Sequence, residues 1–299
     1  MKIIVTGGRG FIGSHFVELC LGAGHSVVDI DCMTYASNKT LPWDNNTEYS
    51  LIQKDINDVD HLPNCDVLIN FAAESHVDNS INSPAKFLNS NIYGVFNLLE
   101  LVRGKPKYDR PLFFQISTDE VYGDTIAGTF YEHSTLKPGN PYAASKASAE
   151  MLVLSYCKTY GIDYLITRSS NNYGSRQFEE KLIPRSITNI RNNKKIPVHG
   201  DGSYVRDWIY VKDNVDAILF LLESQYRNQI FNICADTPKT NLEVIQEILS
   251  WENKQDDLEE YCEFVDNRWG QDLRYSISNQ QLNSLGWIPK HSGYLYKWY

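Results

Sequence analysis

The chain has 299 residues, 42% of them hydrophobic and 22% charged, as expected of a globular protein with one large or two closely joined domains. With 28 basic against 37 acidic residues the formal charge is −9, and no basic block occurs, which argues against nucleic acid or an anionic membrane as partner. The six cysteines (Cys20, Cys32, Cys65, Cys157, Cys234, Cys262) show no Cys-x-x-Cys spacing and read as reduced structural thiols, so no metal site or disulfide framework is expected. No apolar run reaches membrane length and Met1–Val5 is too short for a signal peptide, so the expected location is cytoplasmic.

In chain order, Lys2–Thr6 reads as a strand that runs into Gly7-Gly8-Arg9-Gly10-Phe11-Ile12-Gly13. Gly7, Gly10 and Gly13 have the Gly-x-x-Gly-x-x-Gly spacing that lets a backbone turn tightly against a pyrophosphate at the start of a helix, here ending near Leu21. A second strand, Ser26–Ile30, ends at Asp31, placed to accept from a ribose diol and to repel a 2′-phosphate. No Arg or Lys follows directly, so NAD is expected rather than NADP, with Asp29 as the competing acid if the strand ends earlier. Leu51–Gln53 and Val67–Phe71 read as further strands, leading into Asp55-Ile56 and Ala72-Ala73-Glu74-Ser75, loops that should flank the two halves of a dinucleotide. Too few residues separate these strands for a full crossover helix, and a short helical turn near Val59–Pro63 is expected instead. Phe87–Val102 has helical periodicity.

The stretch Gln115–Lys146 organises the rest. The apolar run Leu112-Phe113-Phe114 leads to Thr118-Asp119-Glu120, a buried strand that carries polar groups out at its C-terminal end, where open α/β sheets bind ligands. Neighbours on a regular strand face opposite ways, so Asp119 and Glu120 reach one ligand only if they lie just past the strand end. Tyr142 and Lys146 are four apart at the start of a helix running to about Tyr160, hence on one face. An ammonium beside a phenol favours the phenolate, which equips a weak acid to act as a base. A sixth strand, Tyr164–Thr167, precedes a polar turn at Ser169–Gly174. From there helices and strands alternate less regularly, with amphipathic helices at Val211–Leu222 and Leu242–Trp251 and an aromatic, non-helical end at Tyr294–Tyr299. The expected organisation is a doubly wound parallel α/β sheet over residues 1–168 and a smaller α+β lobe over 169–299, with segments around 204–228 returning to the first domain.

On the glycine loop, Asp31–Ala36, Ala72–Asp78, the Thr-Asp-Glu strand end, Tyr142–Lys146, Ser170–Gly174 and Arg206-Asp207-Trp208, the chain resembles the extended short-chain dehydrogenases/reductases, and among them the nucleoside-diphosphate-glucose 4,6-dehydratases. The resemblance implies NAD, a homodimer built on the long helices, and a sugar-nucleotide substrate on the way to rhamnose or another deoxysugar. It implies cofactor contacts from Gly7, Gly10, Phe11, Ile12, Gly13, Asp31, Thr34, Asp55, Ile56, Phe71, Ala72, Ala73, Ser75, Ser90, Tyr142, Lys146 and Asn172. It assigns Tyr142 and Lys146 to C4 oxidation, Glu120 to the C5 proton, Asp119 to the C6 hydroxyl and Thr118 to the C4 oxygen. Substrate contacts are expected from Ser75, Thr118, Asn171, Lys181, Leu182, Arg206, Asn241 and Arg268; turn capping competes for Ser75, Asn171 and Asn172, and surface ion pairing for the cations. Asn79, Asn267 and Gln271 depart from the pattern, and the last two tilt the expected base from thymine toward uracil. The rival enzyme is a 4-epimerase or a decarboxylase, neither of which needs an acid such as Asp119. The rival from another class is a silent NAD-binding sensor, which has no need of Tyr142 and Lys146.

Overall fold

The structure, a computed structural model, describes residues 1–255, 257–267 and 272–299. In chain order the elements are β1 (Lys2–Thr6), α1 (Phe11–Gly22), β2 (Ser26–Ile30), β3 (Tyr49–Ile52), β4 (Val67–Asn70), α2 (Val77–Asn82) and α3 (Pro84–Leu88). A π turn (Asn89–Tyr93) leads to α4 (Gly94–Gly104), then β5 (Leu112–Thr118), a 3₁₀ turn (Asp119–Tyr122), α5 (Pro141–Tyr160), β6 (Tyr164–Ser169) and β7 (Asn171–Tyr173). The remainder is α6 (Leu182–Arg191), β8 (Ile196–His199), β9 (Val205–Tyr210), α7 (Val211–Glu223), β10 (Gln229–Ile233), β11 (Pro238–Thr240), α8 (Asn241–Trp251), α9 (Leu258–Tyr261), β12 (Cys262–Val265) and α10 (Gln280–Ser284).

The seven-stranded sheet has the order β10-β6-β5-β4-β1-β2-β3 with every pairing parallel. Such a sheet is covered on both faces, which explains why β4, β5 and β6 are buried at every position. Ile3, Val5, Phe114 and Ile116 pack on one side with Phe16, Val17, Ile218 and Leu221 from α1 and α7. Ile4, Leu68, Phe113 and Ile166 pack on the other with Leu98, Val102, Ala149 and Val153 from α4 and α5. The chain moves outward from β1 in both directions, so a crevice opens at the carboxyl ends of β1 and β4. The second half adds a three-stranded sheet, β11-β9-β7, and a two-stranded one, β12-β8.

Three local expectations need correcting. No helical turn forms over Val59–Pro63; the chain turns at 56–58 and then runs irregularly. Val59 and Leu62 are buried against the α4 side of the core, and Asn97 Nδ2 donates to the Ile56 and Val59 carbonyls at 2.8 Å each, so tertiary contacts replace the helix. Phe87–Val102 is not one α-helix, because the π turn interrupts it. The segment 169–174 is not simply a turn: Asn171–Tyr173 pairs with β9 as a strand. At the far end, the non-helical tail closes the second lobe. Leu295 is buried, Tyr296 N donates to Tyr173 Oη at 2.7 Å, and Trp298 packs on Trp251 and Tyr173. No helix among the described residues is long and apolar enough to cross a membrane.

Candidate active site

A cavity of about 520 Å³ lies at the carboxyl edge of the sheet, between it and the second lobe. Its floor is the glycine loop. Gly7 has φ +72°, and a Cβ there would sit 2.7 Å from the Ala72 nitrogen. A Cβ on Gly13 would run into the Gly7 carbonyl, so the loop closes on itself only with glycine. The α1 N-cap, Gly10, offers no side-chain cap, which leaves the helix start open to an anionic group.

The structure separates the two acids of β2. Asp29 is fully buried, accepting from Gly8 N at 2.9 Å and Tyr49 Oη at 2.9 Å, and burial pushes its carboxyl up to about 7. It holds the loop from beneath. Asp31 follows the strand end and lines the cavity, with Arg9 N at 2.9 Å on one oxygen and Met33 N at 2.7 Å and Ser37 Oγ at 3.1 Å on the other. A carboxylate has about four acceptor sites, so one remains after these three bonds.

All seventeen residues expected at the cofactor line this cavity, among them Thr34, Asp55, Phe71, Ser90 and Asn172. Asn172 Nδ2 donates to Ser169 Oγ at 3.1 Å and to the Ser170 carbonyl at 3.0 Å, whereas its buried Oδ1 has no partner among the described residues. An unpartnered buried carbonyl oxygen is costly unless a ligand supplies the donor. The π turn brings Asn89 and Ser90 to the wall, while Asn91 is buried beneath, with its Nδ2 on Ser145 Oγ at 2.9 Å and on the Glu74 carbonyl at 3.0 Å. Lys54, Lys86, Gln177 and the edge-to-face pair Tyr35–Phe178 also line the cavity and were missed from sequence.

At the far end, β5 stops at Thr118 and the chain enters the 3₁₀ turn, so Asp119 and Glu120 both reach the cavity. Thr118 accepts from Glu120 N at 3.3 Å and its hydroxyl donates to Asp119 Oδ1 at 3.3 Å. Asp119 is 3% exposed and its Oδ2 has no partner among the described residues; burial, then the neighbouring Glu120 charge, pushes the carboxyl well above the usual range. Both effects favour its protonated form, the form that can donate a proton. Glu120 is held differently, its Oε2 receiving Asn140 Nδ2 at 3.2 Å. Asn140 also caps α5 through Ala143 N at 2.9 Å, with Pro141 as the first helical residue, a signature readable in the sequence but missed as a site feature.

Tyr142 and Lys146 share the cavity face of α5. The expectation that Lys146 favours the Tyr142 phenolate is not met in the protein alone. Lys146 Nζ donates to the Ile116 carbonyl at 2.6 Å, and burial pushes the ammonium down to about 8. The Tyr142 phenol is raised, first by burial and then by the Glu120 charge, with a Thr118 hydrogen bond opposing. Beneath them Glu150, one turn after Lys146, accepts from Ser117 Oγ at 2.5 Å and pairs with Arg168 at 2.6 Å, and Arg168 also donates to Tyr122 Oη at 2.6 Å. This buried network locks α5, β5, β6 and the 3₁₀ turn together.

Of the expected substrate contacts, Ser75, Thr118, Asn171 and Lys181 line the cavity, with Lys181 Nζ on the Ser75 carbonyl at 3.0 Å. Leu182, Arg206 and Asn241 do not. Leu182 packs on the core of the second lobe, and Asn241 opens α8 with its amide on the Tyr204 carbonyl at 3.2 Å. Arg206 is buried, its donors on the Val205 and Asp272 carbonyls at 2.8 Å each and on that of Leu273 at 3.3 Å. The fork that suits a diphosphate suits three backbone carbonyls equally well. Arg268 and Gln271 lie outside the described residues.

The profile of the family described as GDP-mannose 4,6 dehydratase matches residues 4–293. The chain belongs to this family. It is 42% identical to the low-salt glycan biosynthesis protein Agl12 of Haloferax volcanii, covering 98% of this chain and 94% of that one. It is 39% identical to the dTDP-glucose 4,6-dehydratase of Haemophilus influenzae, over 97% of this chain and 94% of that one. Among solved structures it is similar to DesIV, the dTDP-glucose 4,6-dehydratase of Streptomyces venezuelae with NAD bound, at TM-score 0.92 and 36% identity over 98% of this chain and 93% of that one. The family match spans both lobes, so the glycine-loop cavity and the Thr118–Glu120 turn lie within one family unit.

Proposed function

We propose that this chain dehydrates a nucleoside-diphosphate-glucose across C5 and C6, through a transient C4 ketone, with NAD as its cofactor. The observation that carries the reading is the pair at the end of β5: a buried Asp119 whose carboxyl is pushed upward beside a hydrogen-bonded Glu120, both facing the cavity that holds Tyr142 and Lys146. Gly7–Gly13, Asp31 and the unpartnered Asn172 Oδ1 fit a dinucleotide. When bound, NAD supplies a cationic ring that accepts hydride from C4 and returns it to C6, so it ends unchanged.

The residues handle the protons. Tyr142 takes the C4 hydroxyl proton, while Thr118 steadies that oxygen. With C4 a ketone, the C5 proton becomes acidic and Glu120 removes it. Asp119 donates its proton to the C6 hydroxyl, which leaves as water, and Glu120 returns its proton to C5 when C6 is reduced. An epimerase needs only the C4 step, leaving Asp119 without a task.

The base is proposed as thymine, with uracil as the alternative. The relatives that act on dTDP-glucose support thymine, while Asn267 accepts from Tyr204 Oη at 2.6 Å and Gln271 lies outside the described residues. Lys181, which lines the cavity, is the proposed contact for the diphosphate. A second copy of the chain is the proposed partner, through the outer surface of α3, α4 and α5, where Leu88, Tyr93, Phe96 and Met151 are 45%, 63%, 44% and 48% exposed. A reducing cytoplasmic setting suits the six free cysteines.

The test is incubation of the purified protein with dTDP-glucose and UDP-glucose, following the 4-keto-6-deoxy product. A product that keeps its 6-hydroxyl with C4 inverted would replace this reading with an epimerase. Bound nucleotide without turnover would favour the sensor.

A further inference from the structure

Glu120 has a second polar neighbour, and it comes from the C-terminal segment. Tyr275 Oη lies 3.4 Å from Glu120 Oε2, the same oxygen that Asn140 reaches, and it donates a short hydrogen bond to Asp272 Oδ2. Tyr275 does not line the cavity; it stands behind Glu120. Its ring is 5% exposed and carries the Arg206 guanidinium 4.3 Å from its centroid. The segment is anchored by Leu273 N and Arg274 N, both donating to Asp124 Oδ1, at 3.0 and 2.8 Å. Asp272 is 8% exposed and abuts the turn that carries Asn140: a Cβ on Gly139 would sit 2.8 Å from Asp272 Oδ1.

A phenol has one proton, so Tyr275 cannot donate to both carboxyls at once. When Glu120 is ionised, the hydroxyl can turn to it. When Glu120 carries a proton, Glu120 becomes the donor and the phenol oxygen accepts, while the Tyr275 proton stays on Asp272. We infer that Tyr275, backed by Asp272 and clamped by Arg206, is a positioning residue that holds the Glu120 carboxyl through both of its protonation states. Burial and the charge of Glu120 hold the phenol above its ordinary range, which keeps it a donor. The charged groups acting on Tyr275 are Glu120 from the 3₁₀ turn, Arg206 from β9 and Asp272, and Asp119, itself under the charges of Arg206 and Asp207, adjoins Glu120.

The inference rests on the dehydratase reading, and the experiment separates the two. Tyr275→Phe and Asp272→Asn are compared with wild type, all loaded with NAD and given dTDP-glucose in single turnovers across a range of pH. Reduced-nicotinamide absorbance reports C4 oxidation; product and solvent deuterium at C5 report Glu120. Tyr275→Phe keeps the ring under Arg206 but removes the hydroxyl that reaches both Glu120 and Asp272. It should oxidise C4 near the wild-type rate and lose elimination by roughly 10- to 100-fold, the effect of one hydrogen bond to a charged group. The acid limb of its elimination rate should move to higher pH. Asp272→Asn removes one charge and leaves a weaker acceptor competing with Glu120 for the phenol proton, so its limb should move to lower pH. An unchanged limb in Tyr275→Phe, or equal losses in oxidation and elimination, would overturn the inference. Wild type making no 4-keto-6-deoxy product from either dTDP-glucose or UDP-glucose would instead overturn the dehydratase reading.

Discussion

Asp119→Asn isolates the proton donor. The change keeps the shape of the side chain and removes only an acidic proton. Because burial pushes the Asp119 carboxyl upward and so disfavours its anion, the amide replaces a group whose uncharged form the fold already favours. Folding stability should therefore change by about 1 kcal/mol or less, which is ~2–4 °C in Tm for a chain of this size. The chemistry should change far more. A positioned general acid contributes ~10²–10⁴-fold, or about 3–5 kcal/mol of barrier at 1.36 kcal/mol per tenfold. That loss should fall on elimination alone, since Tyr142 and Thr118 serve C4. In a single turnover the variant should show reduced nicotinamide that accumulates and then decays slowly, with 6-deoxy product lagging far behind. In the wild type, elimination should fall as pH rises through the raised Asp119 value, because only the protonated form can donate. Product formation near the wild-type rate would refute the assignment. So would an equal loss in C4 oxidation, which would mean a damaged site and not a missing proton.

Three further outcomes are expected. Glu120→Gln should oxidise C4 yet stall, so reduced-nicotinamide absorbance rises and persists; Tyr142→Phe should form none, and the reverse pattern would exchange their roles. Denatured protein should release NAD and not NADP, and predominant NADP would remove the role given to Asp31. Asp29, pushed from 3.8 to about 7 in the folded state, binds its proton more tightly than the unfolded chain does. Its contribution is therefore greatest below pH ~4 and falls as pH rises to ~7, by about 4 kcal/mol at 1.36 kcal/mol per pH step. Urea unfolding should show that slope in wild type and a flatter one in Asp29→Asn; equal slopes would refute it.

The glycine loop, the Thr-Asp-Glu strand end and the Tyr142–Lys146 pair were legible because each is a local rule. Spacing and residue type dictate where a strand ends, where a backbone can approach an anion, and which face of a helix two side chains share. The π turn was not legible: it changes the phase of a helix without changing the type of residue a helix accepts. The carbonyl partners of Arg206 were not legible for another reason. A guanidinium is equally suited to phosphate oxygens and to backbone carbonyls, and sequence carries no distance to either. Tyr275 lies 155 residues from Glu120, so nothing local joins them.

Asp119 and Glu120 are adjacent carboxyls, and their division of labour follows from what surrounds each. Ending β5 at Thr118 puts both at the cavity, but the 3₁₀ turn sends them into different company. Asp119 goes where one oxygen meets no donor among the described residues, a setting that penalises charge and favours the protonated form. Glu120 goes to Asn140 and Tyr275, donors that a carboxylate can accept from. Asn140 is fixed because it caps α5, and α5 is fixed because Glu150 and Arg168 tie it to β5 and β6. The cap that starts the Tyr142 helix therefore also orients the carboxyl proposed to take the C5 proton. A substitution that frays the first turn of α5 should impair oxidation and elimination together, whereas one at Tyr275 should impair elimination alone. That contrast is the physical sense in which the acid, the base and the redox pair form one site.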